Sequence, residues 1–387
     1  MTTSLVKPIR PEFSSGPCAK RPGWSLKNLH DATLGRSHRH KIAKYKLEQA
    51  INLTKTVLEI PNDYLVGIVP GSDTGAIEMA MWNCLGKKPV DILVWDSFGY
   101  DWANDIQSQL KISELSISKV DYGKLPNLFD INFKNDIVFN WNGTTAGVCV
   151  PDANWINDNR EGLTICDATS AAFAMKIDWS KLDVTTFSWQ KCLGGEGGHG
   201  MIVLSPKAVE RINSYNPHWP IPKLFQLKKN NKLNVDIFSG STINTPSMLC
   251  VEDYIDALNW STDIGGLEEL TKRSKNNLKI VAEWVSRSHW VGFLSENVDT
   301  VSNTSICLKL IDPKIIKQSL EVKNNIEKNI ITLLEDEKIA FDIGSYRSAP
   351  PGLRIWGGPT VENEDIKRLL PCLDWAYNKT IKKLKII

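Results

Sequence analysis

The order of apolar segments predicts an α/β protein with a largely parallel sheet. Six short apolar runs have lengths typical of strands, and stretches with helical spacing separate several of them. The runs are 65–70, 91–95, 136–140, 163–167, 184–189 and 201–204. Strands that alternate with helices usually form a parallel sheet with helices packed on its faces. Ligands of such sheets bind outside the carboxyl ends of the strands, so the residues after each run are the first candidates for function.

The C-terminal third predicts a smaller α+β unit. A helical pattern that starts at Met248 is interrupted by Gly265 and Gly266. Beyond it, the spacing predicts helices at 267–288, 313–336 and 361–384 and a strand at 304–310. Residues 205–245 are polar and contain several prolines, which predicts an irregular stretch. We therefore expect a large domain at 1–260 and a small C-terminal domain at 261–387.

Composition excludes several classes of function. The 387 residues are 42% hydrophobic and 23% charged, and the net charge is +2, which indicates neither a nucleic-acid nor a membrane partner. The eight cysteines are scattered singly, without the paired spacing of zinc sites, and are expected to be reduced thiols. Without an apolar run of about 18 residues or the apolar core of a signal peptide, a cytoplasmic location is expected.

Asp167 and Lys191 are the central candidates. Each follows an apolar run, and a cluster of glycines comes directly after Lys191. If the two runs are neighbouring parallel strands, both side chains emerge at the same edge of the sheet. Pyridoxal phosphate needs such a pair, because an amine forms a Schiff base with it and a carboxylate keeps its pyridine nitrogen protonated. Alternatively, Lys191 ends a solvated strand and Asp167 is a turn or cap residue.

Residues 71–75, Gly-Ser-Asp-Thr-Gly, lie between a predicted strand and a predicted helix. We call them the phosphate cup. Free backbone N–H groups and the positive end of a helix dipole favour an anion at such a position. Ser72, Asp73 and Thr74 are also preferred helix caps, so the pattern fits both roles. Gly195 to Gly200 matches G-x-G-x-x-G, but an apolar β-branched run follows where a dinucleotide site needs a helix.

Other candidates follow the remaining strands or contain unusual basic residues. Trp102 stands where an aromatic ring can either cover a cofactor or join the core. Thr144 lies in a turn after the run 136–140, where its hydroxyl is either a ligand or an ordinary turn residue. His38 and Arg39 belong to a basic loop that is either solvated or anion-binding. Arg354 interrupts an apolar run, and a buried arginine requires an anionic partner.

Together these motifs resemble the class V aminotransferases of fold type I and, within that class, the phosphoserine aminotransferase family. The resemblance rests on Ser14 to Pro17, Ser37 to Arg39, Asn142 to Thr144, Gln190-Lys191 and Asn244 to Pro246. It extends over nearly the whole chain. It implies a large domain with a mainly parallel sheet flanked by helices, a small α+β domain, and bound pyridoxal 5′-phosphate. The implied reaction transfers an amino group between L-glutamate and 3-phosphohydroxypyruvate, giving O-phospho-L-serine and 2-oxoglutarate.

The resemblance also implies roles at the cofactor. Lys191 would carry it covalently, and Asp167 would pair with its pyridine nitrogen. Thr144 would contact the phenolic oxygen of the ring, and Trp102 would stack on the ring face. The phosphate of the cofactor would be held within one subunit by Ser72, Asp73, Thr74 and Gln190.

Further roles concern the substrate and the subunit interface. Asn244 and Thr245 would complete the phosphate site from the second subunit of a homodimer. Arg354 would bind the α-carboxylate of the substrate. His38 and Arg39 would bind the anion at its far end, likewise across the dimer.

The chain differs from common members of the family at two places. Many relatives carry an arginine in the phosphate cup, where this chain has only hydroxyl and carboxyl side chains. The carboxylate of Asp73 is therefore expected to point away from the anion and to cap the helix. Tyr346-Arg347 stands where a His-Arg pair is common, and Arg347 is expected to bind part of the substrate phosphate.

Related functions are less well matched. Alanine–glyoxylate or serine–glyoxylate aminotransferases have substrates without a distal anion, which leaves the basic loop without a purpose. A cysteine desulfurase needs a cysteine shortly before the substrate arginine, and none lies between Cys307 and Cys372. A non-catalytic protein of the same fold is disfavoured by the intact Asp167 and Lys191 pair. Whether the longer phosphorylated oxo acid of pyridoxine biosynthesis is also a substrate stays open.

Overall fold

A seven-stranded mixed sheet organises the first 204 residues. The structure is a computed structural model that describes residues 5–346 and 348–386. The strands are β1 (Leu65–Pro70), β2 (Val90–Val94), β3 (Leu115–Lys119), β4 (Asp136–Asn140), β5 (Asn142–Gly143), β6 (Val148–Cys149), β7 (Thr164–Asp167), β8 (Val184–Ser188), β9 (His199–Leu204), β10 (Lys228–Lys229), β11 (Lys232–Leu233), β12 (Val291–Phe293), β13 (Ser305–Leu310) and β14 (Gly352–Trp356). The large sheet has the order β1-β9-β8-β7-β4-β2-β3.

Helices pack on this sheet and on a smaller one. They are α1 (Lys41–Val57), α2 (Ser72–Cys84), α3 (Ser97–Asn104), α4 (Pro206–Ser214), α5 (Met248–Asp263), α6 (Gly266–Val285), α7 (Pro313–Ile316), α8 (Leu320–Asp336) and α9 (Asn363–Lys383). Within the described part of the chain, no helix combines the length and the apolar character that crossing a membrane requires.

Alternate residues of the central strands enter two separate cores. In β4, Ile137 and Phe139 pack into one apolar cluster, and Val138 packs into the other. Every residue of β4 is buried. Successive side chains of a strand point to opposite faces, so a strand with two buried faces must be apolar throughout, as this one nearly is. This explains why the strands read as continuous apolar runs instead of an alternating pattern.

The parallel order of the sheet collects the strand ends that carry the candidate residues. β2, β3, β4, β7 and β8 pair in parallel with their neighbours, and β9 runs antiparallel between β8 and β1. The carboxyl ends of β1, β2, β4, β7 and β8 therefore lie at one edge. The amino end of β9 lies there as well, since His199 pairs with Pro70. The predicted largely parallel sheet is confirmed.

The C-terminal part forms a three-stranded antiparallel sheet, β12-β13-β14. The division of the chain into domains at residue 260 stays a prediction. The predicted helix at 313–336 is interrupted at residues 317–319, because Ser319 caps a new helix by accepting a hydrogen bond from the Val322 amide. The prediction of an irregular stretch at 205–245 was wrong at its start, where Ser205 caps α4 and Pro206 occupies its first turn.

A buried ion pair anchors α4 beneath the sheet. Arg211 donates two hydrogen bonds to the Asp136 carboxylate, at 2.7 and 2.9 Å, and both side chains are buried. Asp136 also accepts from the Leu163 amide at 2.8 Å. The pair therefore joins α4 to β4 and to the start of β7, at the edge opposite the candidate site.

Removing the arginine should leave an uncompensated buried charge. We expect Arg211→Ala to lower the free energy of unfolding by about 3–5 kcal/mol, measured by urea denaturation. The matched control is Arg368→Ala, which breaks a more exposed i,i+4 pair with Glu364 and should cost about 0.3–0.5 kcal/mol. Equal losses of unfolding free energy in the two variants would contradict the prediction that the Arg211–Asp136 pair contributes more to stability than the exposed pair.

Candidate active site

Asp167 and Lys191 emerge from adjacent parallel strands. Asp167 is the last residue of β7 and pairs with Thr186 of β8, and Lys191 follows β8 by three residues. The prediction that both lie at one edge of the sheet is confirmed. Their charges interact: the nearby Asp167 carboxylate opposes the effect of burial on the Lys191 amine.

The amine of Lys191 is enclosed by the N-terminal segment. Its Nζ donates to the backbone carbonyl of Ser15. A Cβ on Gly16 would lie only 2.7 Å from this Nζ and would displace the amine, and the φ angle of 150° at this position also favours glycine. Burial lowers the pKa of Lys191, which increases the share of neutral amine. Neutral amine is the form that attacks an aldehyde.

The Asp167 carboxylate is oriented by three donors. Oδ2 accepts from Trp102 Nε1 at 3.2 Å and from Asn140 Nδ2 at 3.1 Å. Oδ1 accepts from the Thr169 amide at 2.9 Å. Because these donors come from α3, β4 and the turn after β7, the carboxylate is fixed by several independent elements. Trp102 is thus bound to the predicted partner of the pyridine nitrogen; its predicted stacking on a cofactor ring stays a prediction.

The phosphate cup forms a turn and the first turn of α2. Gly71 and Ser72 adopt positive φ angles of 83° and 56°. A Cβ on Gly75 would lie 2.1 Å from the Pro70 carbonyl oxygen, so this turn cannot tolerate a larger residue there. The first amides of a helix have no partner within it, and α2 presents them at the same edge as Lys191. Thr74 is exposed, and Ser72 is partly buried.

Asp73 does not occupy the predicted cap position of α2. The residue that caps α2 is Gly71, without a side-chain hydrogen bond, so the prediction that Asp73 caps the helix was wrong. Its side chain is buried beside Asp167, Thr169 and Thr186. Burial, followed by the charge of Asp167, raises the pKa of Asp73 well above its usual range. Asp73 therefore faces the Asp167 carboxylate, which satisfies the expectation that it points away from an anion in the cup.

Thr144 lies in a turn that several hydrogen bonds fix. Its hydroxyl donates to Ser170 Oγ at 2.8 Å, and its carbonyl accepts from Ser305 Oγ at 2.5 Å. The next residue, Thr145, donates its amide to Asp96 at 3.2 Å, while the other oxygen of Asp96 accepts from Gly99 and so caps α3. This places the Thr144 hydroxyl next to the turn that follows Asp167.

Arg354 is the central residue of β14 and is partly buried. Its guanidinium carbon lies 4.9 Å from the centre of the Tyr346 ring, which in turn stacks on Phe98 at 6.0 Å. The Nε atom is buried and has no hydrogen-bond partner among the described residues. Burial lowers the pKa of Arg354. The predicted site residue Arg347 lies outside the described residues.

The remaining candidates lie together elsewhere on the chain. His38 and Arg39 line a cavity of about 380 Å³ with Lys44, Gly240 and Thr242. The described lining of this cavity does not include Lys191, Asp167 or Arg354. Asn244 and Thr245, which come shortly after Thr242 in the chain, are exposed. The structure therefore brings the basic loop and the 244–245 pair to one neighbourhood, apart from the lysine.

The residues at the sheet edge fit pyridoxal phosphate. Several polar atoms there are buried without a hydrogen-bond partner among the described residues, which normally costs free energy. They belong to Ser15, Asp73, Thr169, Thr186, Ser188, Gln190 and Arg354. The amine matches the aldehyde of this cofactor, the carboxylate matches its pyridine nitrogen, and the start of a helix with nearby hydroxyl and amide groups matches its phosphate.

Several residues of this site were given no role from the sequence, although Ser15 lies within the motif Ser14 to Pro17 that contributes to the resemblance. Ser15, Asn140 and Ser170 contact Lys191, Asp167 and Thr144, respectively. Asn140 had a usable signal, because it ends a buried strand next to the one that ends in Asp167. The contact of Ser15 with Lys191 spans 176 positions and has no local signal.

Comparison with known proteins agrees with the geometry. No family model matches the chain. The phosphoserine aminotransferases of Methanosarcina mazei and Methanosarcina barkeri are each 54% identical to it, over 371 and 373 residues, covering 96% of this chain and 98% of each relative. The crystal structure of a phosphoserine aminotransferase from Cytophaga hutchinsonii superposes with a TM-score of 0.79 at 22% identity, covering 95% of this chain and 99% of that one. The chain therefore belongs to the phosphoserine aminotransferase family.

Proposed function

We propose that this protein transfers an amino group from L-glutamate to 3-phosphohydroxypyruvate, giving 2-oxoglutarate and O-phospho-L-serine in serine biosynthesis. Pyridoxal 5′-phosphate supplies the aldehyde that accepts the amino group and a ring that withdraws electrons from the substrate Cα. The observation that carries this assignment is the juxtaposition of Lys191 and the fixed Asp167 carboxylate at one sheet edge, in a chain that is 54% identical to phosphoserine aminotransferases.

Lys191 has two tasks in this reaction. Its amine would hold the cofactor covalently, and the same amine, when free, would carry a proton to and from the substrate Cα. The lowered pKa of Lys191 supports both tasks, because a buried neutral amine is a nucleophile and a base. The contact of Nζ with the Ser15 carbonyl supports a fixed starting position for this proton transfer.

Asp167 keeps the pyridine nitrogen protonated and is itself held by Trp102, Asn140 and the Thr169 amide. Trp102 would cover the ring face of a bound cofactor, and Thr144 would contact its phenolic oxygen. The helix start and the polar side chains of Ser72, Thr74 and Gln190 bind the phosphate. Asp73, buried behind Asp167, contributes to the pyridine side of the site and not to the phosphate.

Both substrates carry an α-carboxylate, and they differ in the anionic group at the far end, which is a carboxylate in glutamate and a phosphate in 3-phosphohydroxypyruvate. Arg354, with an unpaired buried Nε, binds the common α-carboxylate, and Arg347 assists at the phosphate of the oxo acid. His38 and Arg39 bind the distal carboxylate or phosphate. These two lie with the 240–243 segment and not with Lys191, which supports a homodimer in which they, Asn244 and Thr245 reach the site of the second subunit. We further propose that the dimer acts in the cytoplasm.

The assignment is tested by a coupled assay of purified protein loaded with pyridoxal phosphate. We expect formation of phosphoserine from glutamate and 3-phosphohydroxypyruvate, and slower transfer to glyoxylate from alanine or serine. Preference for alanine or serine with glyoxylate would support that class of aminotransferase instead. The same assay with the longer phosphorylated oxo acid of pyridoxine biosynthesis determines whether that pathway is served as well.

The role of the basic loop makes a separate prediction. Arg39→Ala should raise KM for glutamate and for 3-phosphohydroxypyruvate about 10- to 100-fold, the loss of one or two charge-assisted hydrogen bonds. KM for alanine as an amino donor should barely change, because alanine has no distal anion.

The control for Arg39 lies in the same loop. Arg36 is exposed, and its guanidinium contacts His40 Nε2 at 2.9 Å, so Arg36→Ala should leave all three KM values nearly unchanged. Equal increases for charged and uncharged donors in Arg39→Ala would contradict recognition of the distal anion.

A further inference from the structure

A column of three aromatic rings stands behind Lys191. Trp189 stacks between His199 and Tyr254, with ring centres 4.4 and 4.5 Å apart and interplanar angles of 15° and 11°. All three side chains are buried. Trp189 precedes Lys191 by two residues, and its carbonyl accepts from the Gly195 amide at 2.9 Å. The column therefore holds Trp189 in place, at the start of the loop that carries Lys191.

One ring of the column also holds the segment that contains Asn244 and Thr245. The Ser247 amide donates to His199 Nε2 at 3.1 Å. A backbone amide can only donate, so Nε2 must be an acceptor and the ring proton lies on Nδ1. Nδ1 is buried and has no hydrogen-bond partner among the described residues, and burial lowers the pKa of His199 to about 4. The ring is thus neutral at neutral pH, and the acceptor is retained.

His199 is connected to the phosphate cup as well. It pairs with Pro70, the residue before the cup, and the Gly71 amide donates to the Gly198 carbonyl at 3.1 Å. The segment on its other side continues into α5, which Ser247 caps and which carries Tyr254. The His199 side chain therefore contacts Trp189 and the Ser247 amide, and its backbone belongs to the strand pair that leads into the cup.

We propose that His199 is a positioning residue that fixes the 242–247 segment and thereby sets the affinity of the second subunit for the phosphate of the cofactor. The inference rests on the proposed function, in which Asn244 and Thr245 complete the phosphate site across the dimer. The proposal adds a link between the two active sites of the dimer. The His199 ring that holds this segment also stacks on Trp189, two residues before Lys191 of its own subunit.

Two substitutions distinguish the role of the hydrogen-bond acceptor of His199 from the role of its stacked ring. His199→Phe keeps a ring for the stack on Trp189 and removes the acceptor for the Ser247 amide. His199→Gln removes the ring and places an amide oxygen near the position of Nε2. A residue that only fills the core would show the larger loss of cofactor affinity in His199→Gln, because its packing changes most.

The measurement is the Kd of pyridoxal phosphate, from the quenching of tryptophan fluorescence in apo-protein. For His199→Phe we expect Kd to rise about 10-fold, as for one lost hydrogen bond in a buried site. His199→Gln should stay within about 3-fold of the native protein, because most of that bond is retained. The control is His218→Phe, since His218 is exposed and also lies against a tryptophan, with its ring centre 4.8 Å from that of Trp219. A native Kd in His199→Phe, or a larger rise in His199→Gln, would overturn the proposal.

Mixed dimers test whether the effect crosses the interface. One dimer combines a native chain with a chain that carries both His199→Phe and Lys191→Ala. Its one intact lysine is in the native chain, and the altered segment completes that site. The second dimer carries the same substitutions on separate chains, so that its intact lysine is served by an unaltered segment.

The two mixed dimers should differ in the Kd for the site that retains Lys191. We expect the weakened value in the first dimer and a near-native value in the second. Equal Kd values in the two dimers, or the reverse order, would overturn the proposed role of His199 without contradicting the proposed transamination. A native protein that sediments as a monomer would refute the dimer assignment, and the inference with it, whatever the Kd values are.

Discussion

Lys191→Ala is expected to abolish amino-group transfer and the yellow colour of protein with lysine-bound cofactor. Loss of general acid–base catalysis alone removes about 10²–10⁴-fold in rate, and loss of the covalent attachment point adds to this. We therefore expect kcat to fall at least about 10³-fold. Phosphoserine formation is measured by the coupled assay, and the bound cofactor is measured by its visible absorbance.

The matched control for Lys191 is a lysine on the surface. Lys272 of α6 is exposed and pairs with Glu269 of the same helix, so Lys272→Ala should keep full activity and colour. Full activity in Lys191→Ala would refute the assignment of the reactive amine, whatever the effect of the other substitutions.

Asp167→Ala is expected to weaken both cofactor retention and turnover. The substitution removes the partner of the pyridine nitrogen and leaves the Trp102 and Asn140 donors without their acceptor. Buried donors without partners each cost about 1–3 kcal/mol. We expect the Kd of pyridoxal phosphate to rise at least about 10-fold and kcat to fall about 10²-fold or more.

An exposed carboxylate at the same sheet edge is the comparison for Asp167. Asp121 follows the parallel strand β3 and forms an ion pair with Lys124 at 3.7 Å. Asp121→Ala should bind the cofactor and turn over as the native protein does. If Asp167→Ala retained the native Kd and kcat, the carboxylate would have no part in holding the pyridine nitrogen.

The sequence was sufficient for six of the seven strands of the sheet and for its functional edge, whereas β3, whose residues are mostly exposed, was not predicted. Strands such as 136–140 are apolar on both faces, which is typical of a largely parallel sheet with two covered faces. Once the strands are parallel, the residues after them share an edge, and Asp167 and Lys191 meet there without knowledge of any contact. This is why the central pair could be predicted and the structure confirmed its position.

Other features depend on contacts that no local pattern encodes. Helix α4 was missed because the polar, proline-containing character of 205–245 outweighed the local signals, although Ser205-Pro206 is a typical helix start and Ala208, Arg211 and Ile212 are buried along one side of the helix. Asp73 was expected to cap α2 because aspartate does so in many helices. Here Gly71 takes the position before Ser72 with a positive φ angle, and the Asp73 side chain is buried next to Asp167 instead.

The two pairs of residues predicted to act across a dimer illustrate the limit of prediction from a single chain. His38 and Arg39 were selected for their charge, and Asn244 and Thr245 for the resemblance to the family. Their common neighbourhood could not be predicted from spacing, because about 200 residues separate the two pairs and long-range contacts depend on the fold. Their action across a dimer stays a prediction, which the mixed dimers test.

The most direct test of the account locates the cofactor on the chain. Protein loaded with pyridoxal phosphate is reduced with borohydride, digested and analysed by mass spectrometry, so that the linkage becomes a stable secondary amine. The account predicts one modified site, Lys191, and loss of the modification when glutamate is added before reduction. Modification of a different lysine, or none at all, would contradict it.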